Sequence, residues 1–144
     1  MIVLDTSVIY ALLDARDQRH RAARDWYEGV EAELTTTPLV LAEVDHLAGT
    51  RAGTNALRAF RRDVAVGAYA VEWWSDAANE SIAVAERYEG LGLGLADASL
   101  VCLAARHRVI EIATFDERHF RAIQPLDGGR SFRLLPVDAQ PRSK

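Results

Sequence analysis

The chain has 144 residues, 49% of them hydrophobic, and a formal net charge of −4, which is the size and composition of one domain with its own core. The charge argues against a protein that coats nucleic acid nonspecifically, yet it leaves room for a nuclease, whose acidic site would itself supply several of the negative charges. The lone Cys102 excludes disulfide scaffolds and cysteine-rich zinc sites within the chain, and Lys144, the only lysine, excludes P-loop and internal Schiff-base chemistry.

In chain order, Ile2 to Leu4 reads as a short buried strand, and Thr6-Ser7 supplies N-cap chemistry for a helix beginning at Val8. His20 to Leu34 has helical spacing in Ala22, Ala23, Trp26, Tyr27 and Val30. Thr35-Thr36-Thr37 is β-prone. Pro38 suits the first turn of a helix capped by Thr37 and stopped at Gly49. After a turn at Arg51 to Thr54, a helix is expected over Asn55 to Val66 and a strand over Ala68 to Trp73. A further helix, capped by Ser75 or Asp76, ends near Gly90. Leu91-Gly92-Leu93-Gly94 is a tight connection into the apolar helix Leu95 to Arg106, whose Cys102 is a buried structural thiol. Val109 to Ala113 is a strand, Glu117 to Ala122 a short helix, and Phe132 to Leu135 a last strand.

Strands alternating with helices imply an α/β domain with a mainly parallel sheet and helices on both faces. The expected domain covers residues 1–136, with a loose polar tail over 137–144. Met1 to Leu4 is too short an apolar run for a signal peptide, and no stretch approaches the ~20 apolar residues of a membrane span. A soluble cytoplasmic protein without a membrane partner is the expectation.

Four carboxylates stand where such a domain would place neutral side chains. Asp5 and Asp116 end apolar strands, where open α/β sheets bind ligands. Glu43 shares a helical face with Leu39, Val40 and Leu47, which points it inward. Asp97 shares one with Leu100, Val101 and Ala104. Taken singly, Glu43 would lie at the edge of its stripe, Asp97 and Asp116 would cap helices, and Asp5 would serve a turn. Taken together, the four can converge on one crevice. Two carboxylates ~4 Å apart repel by about 1 kcal/mol in water and about 4 kcal/mol at an effective dielectric of 20. A divalent cation such as Mg²⁺ or Mn²⁺ turns that repulsion into attraction, and phosphodiester hydrolysis is the chemistry that matches.

Other constellations are weaker. His20, His46, His107 and His119 show no zinc spacing, and His119, close to Asp116, is assigned to helix packing. Gly90 to Gly94 lacks the third glycine of a dinucleotide loop and follows no strand. Arg58, Arg61 and Arg62 form an i, i+3, i+4 group, and Arg16, Arg19, Arg21 and Arg24 a looser one. Each is a solvated face unless it flanks the crevice, where it would bind the phosphates of a polyanion. Trp26, Trp73 and Trp74 are assigned to core or dimer contacts.

The segments Asp5-Thr6-Ser7 after a strand, the helical Glu43, Leu95-Ala96-Asp97-Ala98-Ser99-Leu100 and Thr114-Phe115-Asp116-Glu117-Arg118-His119-Phe120 resemble, as an ordered set, the PIN-domain ribonucleases. The similarity is greatest to VapC-type toxins of toxin–antitoxin pairs, and it spans nearly the whole domain. It implies a Rossmann-like three-layer α/β/α fold, Mg²⁺- or Mn²⁺-dependent endoribonuclease activity, a homodimer, and inhibition by a cognate VapB-type antitoxin. On that resemblance Asp5, Glu43, Asp97 and Asp116 form the catalytic set, with Asp5 and Asp97 as direct metal ligands. Asp116 ligates directly or through water, or supports a second ion. Glu43 ligates through water or helps deprotonate the attacking water. Thr6, Ser7 or Thr114 orient carboxylates or waters. The alternative is a noncatalytic PIN-like module that binds RNA or a protein.

Overall fold

A computed structural model describes residues 1–139. The elements in order are β1 (Ile2–Leu4), α1 (Thr6–Leu13), α2 (His20–Tyr27), β2 (Leu34–Thr36), α3 (Pro38–Leu47), a π-helical turn (Ala48–Ala52), α4 (Thr54–Ala65), β3 (Ala70–Val71), α5 (Ala77–Arg87), a 3₁₀ turn (Glu89–Leu91), α6 (Leu95–His107), β4 (Glu111–Ala113), α7 (Glu117–Phe120) and β5 (Arg133–Leu135). The strands form one parallel sheet in the order β3-β2-β1-β4-β5. Helices cover both faces, giving three α/β/α layers, because parallel strands need crossover connections that pack back on the sheet.

β1 is central, and its register joins the two halves: Val3 pairs with Thr35 on one side and Ile112 on the other. From β1 the chain steps outward to β2 and β3, then returns to the opposite side of β1 for β4 and β5. That reversal opens a crevice beyond the carboxyl ends of β1 and β4. Asp5 follows the first of these strands directly, and Thr114 the second.

The core explains why the short strands hold. Val3, Leu4, Val8, Ile9, Leu100, Leu103, Ile112 and Leu134 are fully buried. The threonines of β2 are satisfied within the sheet layer: the Thr36 hydroxyl donates to the Leu4 carbonyl at 2.9 Å, and that of Thr35 to Glu72 Oε2 at 3.2 Å. Cys102 is a buried free thiol, pushed up in pKa by burial.

Three boundaries differ from the sequence reading. The helix expected over His20 to Leu34 ends at Tyr27, because Leu34 pairs with Ile2 in the sheet and overrides helical spacing. Helix α3 ends at Leu47, ahead of the expected stop at Gly49, but the helical path continues as a π turn that ends at Gly53 with φ 96°. The edge strand β3 pairs only over Ala70 and Val71, so Trp73 is left largely exposed while Trp74 packs under Arg106. Of the expected tail, Asp138 is tied to Arg121 at 2.7 Å and to the Leu134 N–H at 2.8 Å; residues 140–144 lie outside the described residues.

Leu4 both fills the core and carries the strand that delivers Asp5. Leu4→Ala should lower unfolding free energy by about 2–5 kcal/mol, the usual cost of such a cavity. Urea denaturation measures it, and a loss below about 1 kcal/mol would contradict the packing described.

Candidate active site

Asp5 occupies the N-cap position of α1 and is almost entirely buried. Its carboxylate is gripped by two hydroxyls. Thr114 Oγ1 and Ser7 Oγ donate to the same oxygen, Oδ2, at 2.7 and 2.8 Å. Each hydroxyl in turn accepts a backbone N–H at 2.9 Å, Ser7 from Phe115 and Thr114 from Asp116. With one proton per hydroxyl, this assigns every donor and leaves little rotational freedom. The network sews the end of β1 to the loop after β4. Burial pushes the Asp5 carboxyl up, and the two hydroxyls partly oppose it.

Asp97 is the third residue of α6, after the N-cap Gly94, and makes no capping hydrogen bond. The helix is fixed from behind: Thr37 Oγ1 donates to Ser99 Oγ at 2.8 Å, and Ser99 Oγ donates to the Ala96 carbonyl at 2.6 Å. Thr37 therefore stands at the N-cap position of α3, as its place before Pro38 predicts, but its hydroxyl anchors α6 instead of capping. Asp97 is pushed up to about 7, first by burial and then by the charges of Asp5, Asp116 and Glu43; His119 works against the rise.

Asp116 caps α7, accepting the His119 N–H at 3.2 Å on Oδ1. The His119 ring belongs to the site and not merely to helix packing. Its Nδ1 lies 2.7 Å from Asp116 Oδ2 and 3.4 Å from Asp97 Oδ2, and its Nε2 lies 3.2 Å from the Leu91 carbonyl. Both ring nitrogens face oxygen acceptors, so the ring stands between Asp116 and the Leu91 carbonyl. The i, i+3 spacing from Asp116 on one helical turn was the available signal for this residue.

Glu43 does not point inward. The buried stripe of α3 is Val40, Val44 and Ala48, and Glu43 stands one residue aside, exposed on the cleft wall with Leu47. The four acids nevertheless line one cleft of about 400 Å³, together with Thr6, Ser7, Tyr10, Arg19 and Arg51. Thr114 sits behind the wall and acts through Asp5. Arg58, Arg61 and Arg62 are exposed on α4 and do not line the cleft, and Arg61 is gripped by Asp45 at 2.7 and 3.1 Å. A larger hollow of about 520 Å³ lies at the opposite ends of β2 and β3, walled by Tyr27, Leu34 and Tyr69; Glu33 is its only charged residue, so size does not choose the site.

The residues fit a hard divalent cation. One ligand atom each from Asp97, Asp116 and His119 lie within 4.8 Å of one another. Asp5, the first-ranked charge acting on Asp97, stands beside them. The Thr6 hydroxyl, buried in the same wall, meets no partner among the described residues and is an unsatisfied oxygen next to Asp5. A set dominated by carboxylate oxygens suits a hard divalent cation better than a soft one.

The sheet order, the acids at the ends of β1 and β4, and the two helix-borne carboxylates define a PIN domain: the PIN domain family matches residues 2–124, and the chain belongs to that family. Among its relatives, Ribonuclease VapC26 of Mycobacterium tuberculosis (strain ATCC 25618 / H37Rv) is 37% identical over 136 residues, covering 94% of this chain and 100% of that one. The fold is also that of M. tuberculosis VapC20, a Sarcin-Ricin loop cleaving toxin, with TM-score 0.76 and 24% identity over 81% of this chain and 90% of that one. A toxin–antitoxin complex from Klebsiella pneumoniae superposes with TM-score 0.65 and 22% identity, covering 87% and 94%.

Asp97 sets a measurable pH dependence. Its carboxyl is raised on folding from 3.8 to about 7, so the folded protein binds the proton more tightly than the unfolded chain. The resulting stability is present below pH 4 and is lost as pH rises through about 7. Asp138, lowered to about 2, acts with the opposite sign and only at lower pH. A rise of that size corresponds to about 4 kcal/mol at most. Metal-free protein should therefore lose stability between pH 4 and 7, and Asp97→Asn should flatten that fall. Denaturation midpoints in EDTA across this range test it; an equal slope in both proteins contradicts the assignment.

Proposed function

We propose that the chain is a divalent-metal-dependent endoribonuclease, the toxin of a toxin–antitoxin pair. The observation that carries this reading is the convergence of Asp5, Asp97, Asp116 and Glu43 on one cleft, with Asp97 pushed up to about 7 by burial and then by its acidic neighbours. The ribonuclease name of the 37%-identical relative supports the activity, and the toxin–antitoxin complex among the structural neighbours supports the partner. A homodimer rests on the family resemblance.

Asp97 and Asp116 would hold the cation, with Asp5 as the third carboxylate, and His119 either ligates or orients Asp116. Bound there, a divalent ion supplies Lewis acidity, lowering the pKa of a water and neutralising charge on the phosphoryl oxygens. The chain's own groups do the rest. Ser7 and Thr114 fix the rotamer of Asp5 from behind. Glu43, solvated on the wall, takes the proton of the attacking water. The water oxygen bonds to phosphorus, the bond from phosphorus to the 3′ oxygen breaks, and the departing oxygen collects a proton from solvent. The products are a 5′-phosphate and a 3′-hydroxyl. Arg58 and Arg62, free of carboxylates among the described residues, are candidates for phosphates farther along the strand.

The inhibitor follows from the same charges. A VapB-type antitoxin segment carrying Arg or Lys would insert a cation among the four carboxylates and exclude RNA.

Brief expression without the antitoxin, followed by mapping of RNA ends, should give 5′-phosphate and 3′-hydroxyl termini. Asp5→Asn and Asp116→Asn should each reduce cleavage by at least about 100-fold, the size of effect expected when charge stabilisation at a reacting centre is removed. Cyclic-phosphate ends, or full activity in excess EDTA, would sink the metal mechanism. Intact RNA with retained RNA affinity would favour the noncatalytic binding module.

A further inference from the structure

Two cations line the acidic cleft: Arg19, from the connection between α1 and α2, and Arg51, from the π turn. Neither forms an ion pair among the described residues, whereas Arg16, Arg24, Arg61, Arg121 and Arg133 each face a carboxylate within 3.3 Å. An acidic cleft should draw nearby guanidinium groups onto its carboxylates. These two stay apart because each is anchored in a way that leaves its charge free.

Arg19 lies over the Phe115 ring, 5.1 Å from its centroid, and its backbone N–H donates to Asp17 Oδ1 at 2.8 Å. Phe115 sits between Thr114 and Asp116, so the loop that fixes the carboxylates also fixes this cation. Arg51 is placed by the backbone. The Gly53 N–H reaches the Ala48 carbonyl at 3.0 Å, an i+5 bond that widens the last turn of α3. One inserted residue rotates the side chains that follow by about 100°. The φ of 96° at Gly53 then ends the turn, a conformation that favours glycine. Arg16 Nη2 donates to the Arg51 carbonyl at 2.6 Å. One arginine thus clamps the main chain of another, and Arg51 lines the cleft with no ion pair among the described residues.

We propose that Arg19 and Arg51 are the phosphate-binding side chains of this cleft, each holding an RNA backbone phosphate adjacent to the scissile one. The proposal rests on the ribonuclease reading above. A strand whose scissile phosphate lies at the carboxylates must lay its neighbouring phosphates along the walls, where Asp17 and Glu43 would repel them. A planar guanidinium fork matches two phosphate oxygens, and a phosphate is the charge-assisted partner these two arginines lack. An acidic segment of a protein partner would satisfy the same charges, but the carboxylates beside them call for a cationic partner segment.

The test compares wild type, Arg19→Ala, Arg51→Ala, the double variant and the two Lys variants. Arg133→Ala removes the same charge from the far strand β5 as a control. The probe is a labelled single-stranded RNA oligonucleotide spanning a site cut by the wild-type protein. Each Ala variant should raise KM about tenfold, the scale of a charged hydrogen bond, with kcat within about twofold. Each should also reduce the slope of log affinity against log salt by about 0.7. Lys should recover part of the KM loss, and calorimetric Mn²⁺ affinity should match wild type throughout. Wild-type KM and salt slope in the double variant would overturn the proposal while leaving the ribonuclease reading intact. So would an equal loss in Arg133→Ala, or lost antitoxin affinity with RNA binding unchanged. A wild-type protein that cuts no RNA overturns both.

Discussion

Carboxylates buried side by side, which the fold keeps from separating or reaching water, are the constraint on which this site depends. Asp5 cannot turn away, because two hydroxyls grip one of its oxygens and those hydroxyls are themselves held by the backbone of residues 115 and 116. Asp97 cannot withdraw, because Thr37 and Ser99 fix the first turn of α6. The cost appears as an Asp97 carboxyl pushed up to about 7, first by burial and then by the charges of Asp5, Asp116 and Glu43. Without a cation the site relieves that cost by keeping a proton and by setting the His119 ring against Asp97 and Asp116. On the proposed reading a divalent ion would relieve it more completely, and the same burden that weakens the metal-free protein would favour metal binding.

The sheet order puts this constraint where substrate can reach it. β1 and β4 are neighbours although more than a hundred residues separate them, and their carboxyl ends form the floor of the cleft. Glu43 and Asp97 enter from helices on the walls. The acids differ in solvation: Asp5 is buried and held by two hydroxyls, while Glu43 is exposed to solvent. Such a division suits one set of acids to structural binding and another to proton transfer.

Much of the fold could be read from the sequence because β1 and β4 lie in short apolar runs that end at polar residues. Asp5 and Asp116 showed themselves by that interruption alone. Glu43 was found for partly the wrong reason. Its helical stripe is shifted by one residue, and the carboxylate faces the cleft from outside the core. The hydroxyls of Ser7 and Thr114 gave a weaker signal, since Ser and Thr near turns have many local uses. Arg51 could not be read at all. It reaches the cleft through a π turn at Ala48 to Ala52, where a stop at Gly49 was the local expectation; the widened ladder depends on packing between α3 and α4 that no single window contains. His119 was legible as a neighbour of Asp116, but its approach to Asp97 depends on the tertiary meeting of α6 and α7.

Anomalous diffraction from a crystal soaked in Mn²⁺ tests the central claim most directly. A peak about 2.1 Å from carboxylate oxygens of Asp97 and Asp116, in the cleft shared with Asp5, is the expected result. No peak in the cleft at saturating Mn²⁺, with ions bound only to exposed acids such as Asp25, would contradict it.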